Sequence, residues 1–362
     1  MHSSISSSNQ RLQSLAWKPI LAGAFLLFFA FVGVMELRLA AKGFRPSVTD
    51  SERLWLRERL RASNLGEHAL ILVGGSRIQL GMDLDVLRQK TGLEPVQLAI
   101  DGSPPLPILE GLAYDPNIRG TIIVDYYDHF LNPANPSDRS KRYEEHFKRV
   151  SHHIRVVDYE TIEGYLTSRL RSSLRSYADG ARPLTSLFAR IFVRDSTPQY
   201  LVTLPDRSRL ADYHLLPMPD FYYGRVIRSL GQQVDFPSNS TYTDVEHILK
   251  EKIDQLKPNE NFDYIKHLDY LEKLVQMIRG RGGKVFFVVM PSNGLVREIE
   301  RKRFPRRLFW NYLVKRVSAE TIHFEDYPSL KYFICPDGSH LDYRDRINFT
   351  TALVEIAGFG KQ

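Results

Sequence analysis

The amino-acid sequence predicts an α/β protein: a three-layer parallel sheet with a large insertion, preceded by one transmembrane helix. Apolar runs typical of buried strands alternate with helical patterns in residues 41–130 and again in residues 261–362. Residues 131–260 break this alternation, and residues 19–40 are almost continuously apolar. We therefore divide the chain into an N-terminal tail (1–18), an anchor, two halves of one α/β domain, and an insertion between the halves.

The apolar segment near the N-terminus predicts a membrane anchor. Residues 19–35 carry no charge and are rich in Phe, Leu and Ala, and a span needs about 20 such residues. A cleaved signal peptide would have a shorter apolar stretch and a better cleavage site than Ala40-Ala41. We expect an uncleaved signal-anchor, whose orientation the basic residues on both sides leave open.

In the first half of the α/β domain, the predicted elements alternate as in a parallel sheet. Strands are predicted over 68–75, 97–102 and 121–125, and helices over 48–63, 76–90 and 105–113. Thr49 is the predicted N-cap of the first helix, with Glu52 as its capping-box partner.

The alternation resumes in the second half. The predicted elements are a helix over 264–279, a strand over 284–290, a helix over 297–317 broken at Pro305, a strand over 322–325 and a helix over 343–357. Within the insertion, helical patterns occur near 159–177 and 242–256. We expect the insertion to pack over the carboxyl edge of the sheet.

Composition and charge exclude some classes of protein. The net charge of +7 comes from Lys and Arg that are interleaved with acids, whereas nucleic-acid binders concentrate their basic residues in a patch. We therefore predict no nucleic-acid partner, and the excess is typical of a solvated basic surface. Contact with anionic lipid or an anionic polymer is the alternative, most plainly for the basic run at 301–307.

Cysteine and histidine usage predicts neither a metal nor a cofactor. The chain has one cysteine, Cys335, so an intrachain disulfide or a multi-cysteine metal site is impossible. Its apolar surroundings indicate a packing role. His152 and His153 are adjacent and would point in different directions on a helix, which is a poor metal-ligand spacing.

Three turns at the carboxyl ends of predicted strands bring chemistry-bearing residues together, because ligands of open α/β sheets bind at that edge. Ser76 follows Gly74-Gly75 at the start of a helix, where backbone N–H groups can meet an oxyanion. Gly102 follows the second strand. Asp337 and His340 share a loop before the last helix.

A serine hydroxyl becomes a nucleophile when a base accepts its proton, and a carboxylate fixes the tautomer of that base. With a spacing of three residues, the carboxylate of Asp337 can reach the imidazole Nδ1 of His340. The sequence therefore predicts a Ser76–His340–Asp337 triad for acyl transfer, with backbone N–H groups of Ser76 and Gly102 as oxyanion donors.

This pattern resembles the SGNH/GDSL hydrolase superfamily over residues 66–130 and 260–357. In that superfamily, the first block holds the nucleophilic serine, the second a glycine, and the last an Asp-x-x-His. Ser76, Gly102, Asp337 and His340 match these positions. The phrase DGSHLDYRDRINFTTAL is similar to the end of the membrane-anchored, exported branch, which includes alginate O-acetylation and teichoic-acid D-alanylation proteins.

One block departs from the family pattern. The superfamily has an oxyanion-binding Asn after the third strand, where this chain reads Val124-Asp125-Tyr126-Tyr127-Asp128-His129. The carboxylates of Asp125 and Asp128 would repel an oxyanion. Asn132 or Asn293 could supply the donor instead. If neither does, the protein could be a slow transferase or an inactive scaffold.

The resemblance implies a membrane-anchored acyl-esterase or O-acyltransferase that acts on an exported or cell-surface polysaccharide. Its implied partners are the polysaccharide, an acyl donor, and membrane-embedded acyltransferase or polysaccharide export proteins. The implied location is the bacterial cytoplasmic membrane, with the globular domain facing the periplasm or outside. Two alternatives are a non-catalytic SGNH-fold partner in a synthesis or export complex and an enzyme that faces the cytoplasm.

Overall fold

The computed structural model describes residues 17–127, 139–150, 159–178, 199–259 and 263–359. The described residues of 17–47 and 169–178 form one compact unit, and the remaining described residues form the other. Asp128, His129, Asn132 and the His152-His153 pair lie outside the described residues.

The first unit contains helix α1 (Trp17–Ala41), which is long and apolar enough to span a membrane, with a mean hydropathy of 2.3 over its most apolar 18 residues. Its 25 residues extend about 37 Å at 1.5 Å per residue, against about 30 Å of hydrocarbon. Glu36, near its carboxyl end, accepts hydrogen bonds from the backbone N–H groups of Arg175 and Ser176, both at 2.8 Å. Among the described residues, α1 is the one helix whose length and composition suit a membrane span, as the sequence predicted.

The bounds of the other elements follow in chain order. The helices are α2 (Glu52–Leu65), α3 (Ser76–Gly81), α4 (Leu84–Thr91), α5 (Leu106–Tyr114), α6 (Arg139–Val150), α7 (Tyr159–Ser173), α8 (Asp220–Leu230), α9 (Tyr242–Asp254), α10 (Tyr264–Arg279), α11 (Gly294–Arg303), α12 (Trp310–Arg316), α13 (Pro328–Lys331) and α14 (Arg346–Ala357). The strands are β1 (Ala69–Val73), β2 (Glu94–Gln97), β3 (Thr121–Asp125), β4 (Leu201–Thr203), β5 (Arg209–Ala211), β6 (Lys284–Val289) and β7 (Glu320–His323).

Five strands form one parallel sheet in the order β2-β1-β3-β6-β7. Counted along the chain, this is the order 2-1-3-4-5 of a doubly wound sheet. Every residue of β1 and β3 is buried, and since successive side chains point to opposite faces, both faces are covered. The predicted α/β class with a parallel sheet is confirmed.

Capping residues account for two differences from the predicted helices. Helix α2 begins at Glu52, because the side chain of Ser51 accepts from Leu54 N at 3.3 Å; the prediction of Thr49 as N-cap was wrong. The predicted helix over 76–90 is two helices, because Asp83 interrupts it and caps α4 by accepting from the N–H groups of Asp85 and Val86.

The described parts of the predicted insertion contact the sheet domain in several places. Helix α6 packs against α2, where Glu144 pairs with the buried Arg59 at 3.0 Å. Strands β4 and β5 form a separate antiparallel pair. Helices α8 and α9 pack on α11, which follows β6 at the carboxyl edge of the sheet.

Candidate active site

Ser76 is the first residue of α3, at the point where β1 has ended and two glycines turn the chain. A Cβ atom on Gly74 would lie 2.6 Å from the Cβ atom of Asp125 at the end of the neighbouring strand β3. Real Cβ atoms do not approach this closely, so the turn requires glycine for space. The half-buried hydroxyl of Ser76 is thereby placed at the carboxyl edge of the sheet.

Asp337 organises the loop that carries the histidine. Its Oδ1 atom accepts from the backbone N–H groups of Ser339 and His340, at 2.9 and 2.8 Å. Its Oδ2 atom lies 2.8 Å from His340 Nδ1. Gly338, between them, has a φ of +79°, which favours glycine. The loop therefore fixes the imidazole ring and leaves its Nε2 atom free to face another group.

That other group is Ser76, whose Oγ atom lies 2.7 Å from His340 Nε2 across a separation of 264 residues. The predicted serine, histidine and aspartate thus form one continuous hydrogen-bonded chain. Asp337 is 0% exposed and His340 3%, so the hydrogen bonds are shielded from water. With Nδ1–H donated to the carboxylate, Nε2 can accept the proton of the serine hydroxyl.

Charges around the triad set its protonation. Burial acts to raise the pKa of Asp337, but His340, Arg225 and the Ser339 N–H outweigh this effect and hold the pKa well below its usual range. Burial lowers the pKa of His340; Asp337 opposes this, while Arg225 and Arg77 add to it. Asp337 is therefore ionised and His340 neutral at neutral pH, the state in which a histidine serves as a base.

The second predicted turn lies beside the first. Ile100 N donates to Gly74 O at 3.0 Å, and Gly102, two residues later, has a φ of +63°. Among the described residues, neither Ser76 N nor Gly102 N donates a hydrogen bond to the protein. Both N–H groups are thus available as oxyanion donors.

Asn293 follows β6, as predicted, and its side-chain amide contacts the backbone of Cys335. Its amide nitrogen donates to Cys335 O at 3.0 Å, and its amide oxygen accepts from Cys335 N at 2.9 Å. The side chain is therefore engaged with the backbone of Cys335, which argues against a role of Asn293 as oxyanion donor. Cys335 itself is buried and donates to Pro291 O at 3.3 Å, in agreement with a packing role.

The basic run at 301–307 is largely committed to ion pairs. Arg306 pairs with both carboxylate oxygens of Asp326 at 2.8 Å, and Arg301 pairs with Glu325. In the described parts of the chain, no group of His, Cys, Asp or Glu side chains is arranged to hold a metal ion.

A small surface cleft is lined by Arg77, the residue after the candidate nucleophile. Aromatic side chains form much of its wall, including those of Tyr127, Phe309 and Trp310. Arg77 is held there by a hydrogen bond to Ser339 Oγ at 3.1 Å and by an ion pair with Glu300. Charged side chains line the cleft as well, including Arg297 and Glu300, which form an ion pair.

Two contacts of Asp337 come from the insertion and were not predicted. Arg225 Nε lies 3.2 Å from Asp337 Oδ2, and the Tyr213 hydroxyl donates to the same oxygen over 3.4 Å. The sequence carries no periodic or motif signal for either contact, because both depend on how the insertion folds back onto the loop of Asp337.

In comparisons with known proteins, no family model matches the chain and no curated protein matches it in sequence. The geometry of the site and the sequence pattern are therefore what indicates a function for this protein.

Proposed function

We propose that this protein is a membrane-anchored serine esterase or O-acyltransferase with an SGNH-like α/β domain. The single observation that carries the proposal is the hydrogen-bonded chain from Ser76 through His340 to Asp337. The order of the three turns along the sheet edge and the resemblance to SGNH hydrolases support the same reading.

In the proposed reaction, Ser76 Oγ attacks the carbonyl carbon of an acyl ester while His340 Nε2 accepts the hydroxyl proton. His340 then returns that proton to the departing alcohol oxygen, which leaves an acyl group on Ser76. A water molecule or an acceptor hydroxyl attacks this ester, its proton passes to His340, and Ser76 regains its proton. Water as acceptor gives hydrolysis, and a sugar hydroxyl gives transfer.

The negative charge on the carbonyl oxygen would be held by the N–H groups of Ser76 and Gly102. A third donor, which Asn293 does not provide, is worth about 10²- to 10³-fold in rate. With only two oxyanion donors, we expect a slow transferase that uses an acyl donor held nearby, and not an efficient hydrolase.

The proposed substrate is an exported or cell-surface polysaccharide, with the domain on the outer side of the cytoplasmic membrane. Helix α1 supports anchoring, and the aromatic cleft beside Arg77 could take a part of the substrate away from the reacting ester. Membrane-embedded acyltransferase or polysaccharide export proteins are the proposed partners.

The test is covalent labelling with a fluorophosphonate probe, which reacts with activated serines. We expect the full chain to be labelled in membranes or detergent and Ser76→Ala to be unlabelled. The control Ser238→Ala, at an exposed position, should be labelled as the wild type is. Labelling that survives in Ser76→Ala would overturn the assignment of the nucleophile.

A non-catalytic role in a polysaccharide synthesis or export complex is the second candidate. The engagement of the Asn293 amide with Cys335 favours it. The sequence Asp125-Tyr126-Tyr127 directly at the end of β3, where SGNH hydrolases have their Asn, favours it as well. Complementation of a deletion strain separates the two candidates: the enzyme requires Ser76, whereas a scaffold works equally well with Ser76→Ala.

A further inference from the structure

Arg225, on helix α8 of the insertion, contacts the carboxylate of the triad. Its Nε atom lies 3.2 Å from Asp337 Oδ2, and its own side chain is 23% exposed whereas that of Asp337 is 0% exposed. The same oxygen is 2.8 Å from His340 Nδ1 and 3.4 Å from the Tyr213 hydroxyl. Two hydrogen-bonded groups and one guanidinium ion therefore converge on one carboxylate oxygen.

Helix α8 is held against the catalytic loop by more than this ion pair. Tyr222, one turn before Arg225, accepts a hydrogen bond from Leu295 N at 2.8 Å through its hydroxyl. The ring of Tyr222 also packs on Gly338, where a Cβ atom would lie 3.1 Å from Tyr222 Cε2. The guanidinium of Arg225 is thus presented to Asp337 by a packed helix.

This arrangement changes the charge of the triad. A serine triad normally has an uncompensated carboxylate that stabilises the imidazolium formed during the reaction. Here the group of Arg225, Asp337 and His340 is neutral when the imidazole is neutral, and carries +1 when it is protonated. In a buried, low-dielectric site an extra positive charge is unfavourable, so Arg225 disfavours the imidazolium.

The other charged groups that face His340 do not cancel this effect. Arg77 on α3 acts in the same direction. Asp101, in the turn after β2, is the opposing carboxylate, but it is paired with Arg209 at 3.1 Å. Tyr213, against Asp337, is neutral, because burial raises its pKa.

We propose that Arg225 is a positioning residue that holds Asp337 in place and keeps His340 unprotonated, so that the serine stays reactive under mildly acidic conditions. The inference rests on the proposed function. It assigns part of the insertion to the catalytic machinery, where Arg225 acts through Asp337 without touching substrate.

The experiment measures the rate of fluorophosphonate labelling of the full chain in detergent across the acidic and neutral pH range. Four variants are compared with the wild type. Arg225→Gln and Arg225→Met both remove the charge. Arg225→Met replaces Arg225→Gln if the Gln variant does not fold, because Met retains the packing of the aliphatic part of the side chain. Arg225→Lys keeps the charge. Arg228→Gln, an exposed change on the same helix, is the matched control.

We expect the neutral variants to raise the midpoint of the acid limb by about half to one pH unit. Removing the cation makes His340 easier to protonate, and the protonated form does not react. Arg225→Lys and Arg228→Gln should keep the wild-type midpoint. A merely structural role for Arg225 would lower the rate at every pH without moving the midpoint.

Two failures are distinguishable. If Ser76→Ala abolishes labelling but folded Arg225→Gln or Arg225→Met keeps the wild-type midpoint, the role of Arg225 is refuted and the proposed function stands. If Ser76→Ala is still labelled, the proposed function itself fails, whatever the variants at residue 225 do.

Discussion

The hydroxyl group of Tyr127 lies so close to Gly75 that a Cβ atom on residue 75 would be 2.2 Å from its oxygen. Gly75 has a φ of −106°, which any residue can adopt. The requirement for glycine immediately before the candidate nucleophile is therefore one of space, imposed by a side chain that follows β3.

Gly75→Ala should slow fluorophosphonate labelling by about 100-fold, because a displacement of about 1 Å at a reacting group costs that much. The second change Tyr127→Phe removes the oxygen, so that the nearest ring atom is Cζ at 3.1 Å. The double variant should recover about tenfold, and Tyr127→Phe alone should react as the wild type. Equal rates for Gly75→Ala and the wild type would show that the turn tolerates a side chain.

Asn293→Ala tests whether Asn293 supports structure or catalysis. We expect a loss of about 1–3 kcal/mol in the free energy of unfolding, because two backbone groups of the buried Cys335 lose their partners. The folded variant should be labelled at nearly the wild-type rate. Asn311→Ala, on an exposed position, is the control. A rate about 100-fold lower with unchanged stability would instead make Asn293 an oxyanion donor.

Glu325 gives a prediction for stability against pH. Burial acts to raise its pKa, but hydrogen bonds and charges from Arg297 and Arg301 outweigh this and lower the pKa to about 2. Because the pKa is lower in the folded state, the carboxylate stabilises the fold above its unfolded pKa of about 4.5. This contribution is lost as the pH falls through about 2.

Glu325→Gln should therefore reduce the free energy of unfolding by about 1–3 kcal/mol at pH 7, and by less at pH 3. Denaturant unfolding at the two pH values measures the difference. Glu298→Gln, an exposed change on α11, should have little effect at either pH. A constant difference for Glu325→Gln would mean that the ion pairs of Glu325 do not contribute to stability.

The triad could be predicted because its information is local. Gly-Gly-Ser after an apolar run specifies a turn at a strand end, and the spacing of Asp337 and His340 lets the carboxylate reach the imidazole within one loop. The alternation of strands and helices predicts a parallel sheet, in which the carboxyl ends of all strands lie at one edge. The turn with Ser76 and the loop with His340 are therefore expected at the same edge.

The contacts of Arg225 and Tyr213 could not be predicted, because they depend on how the insertion folds back onto a distant loop.

Two helix boundaries were predicted wrongly for another reason. Thr49 and Ser51 are both good N-cap types, and Glu52 matched the capping box of the wrong one. The predicted helix over 76–90 is interrupted at Asp83. The interruption was missed because the buried Met82, directly before it, continues the apolar pattern of the helix.

The separation of 264 residues between Ser76 and His340 has a consequence for biosynthesis. At about 5–20 residues per second, the ribosome completes the serine roughly 13 to 53 seconds before its base. Strand β7 and the loop at Asp337 also emerge after the serine. In the proposed enzyme the hydroxyl is thus inert until His340 has been made, and a chain that stops before residue 340 has the apolar helix and the nucleophile but no base to activate it.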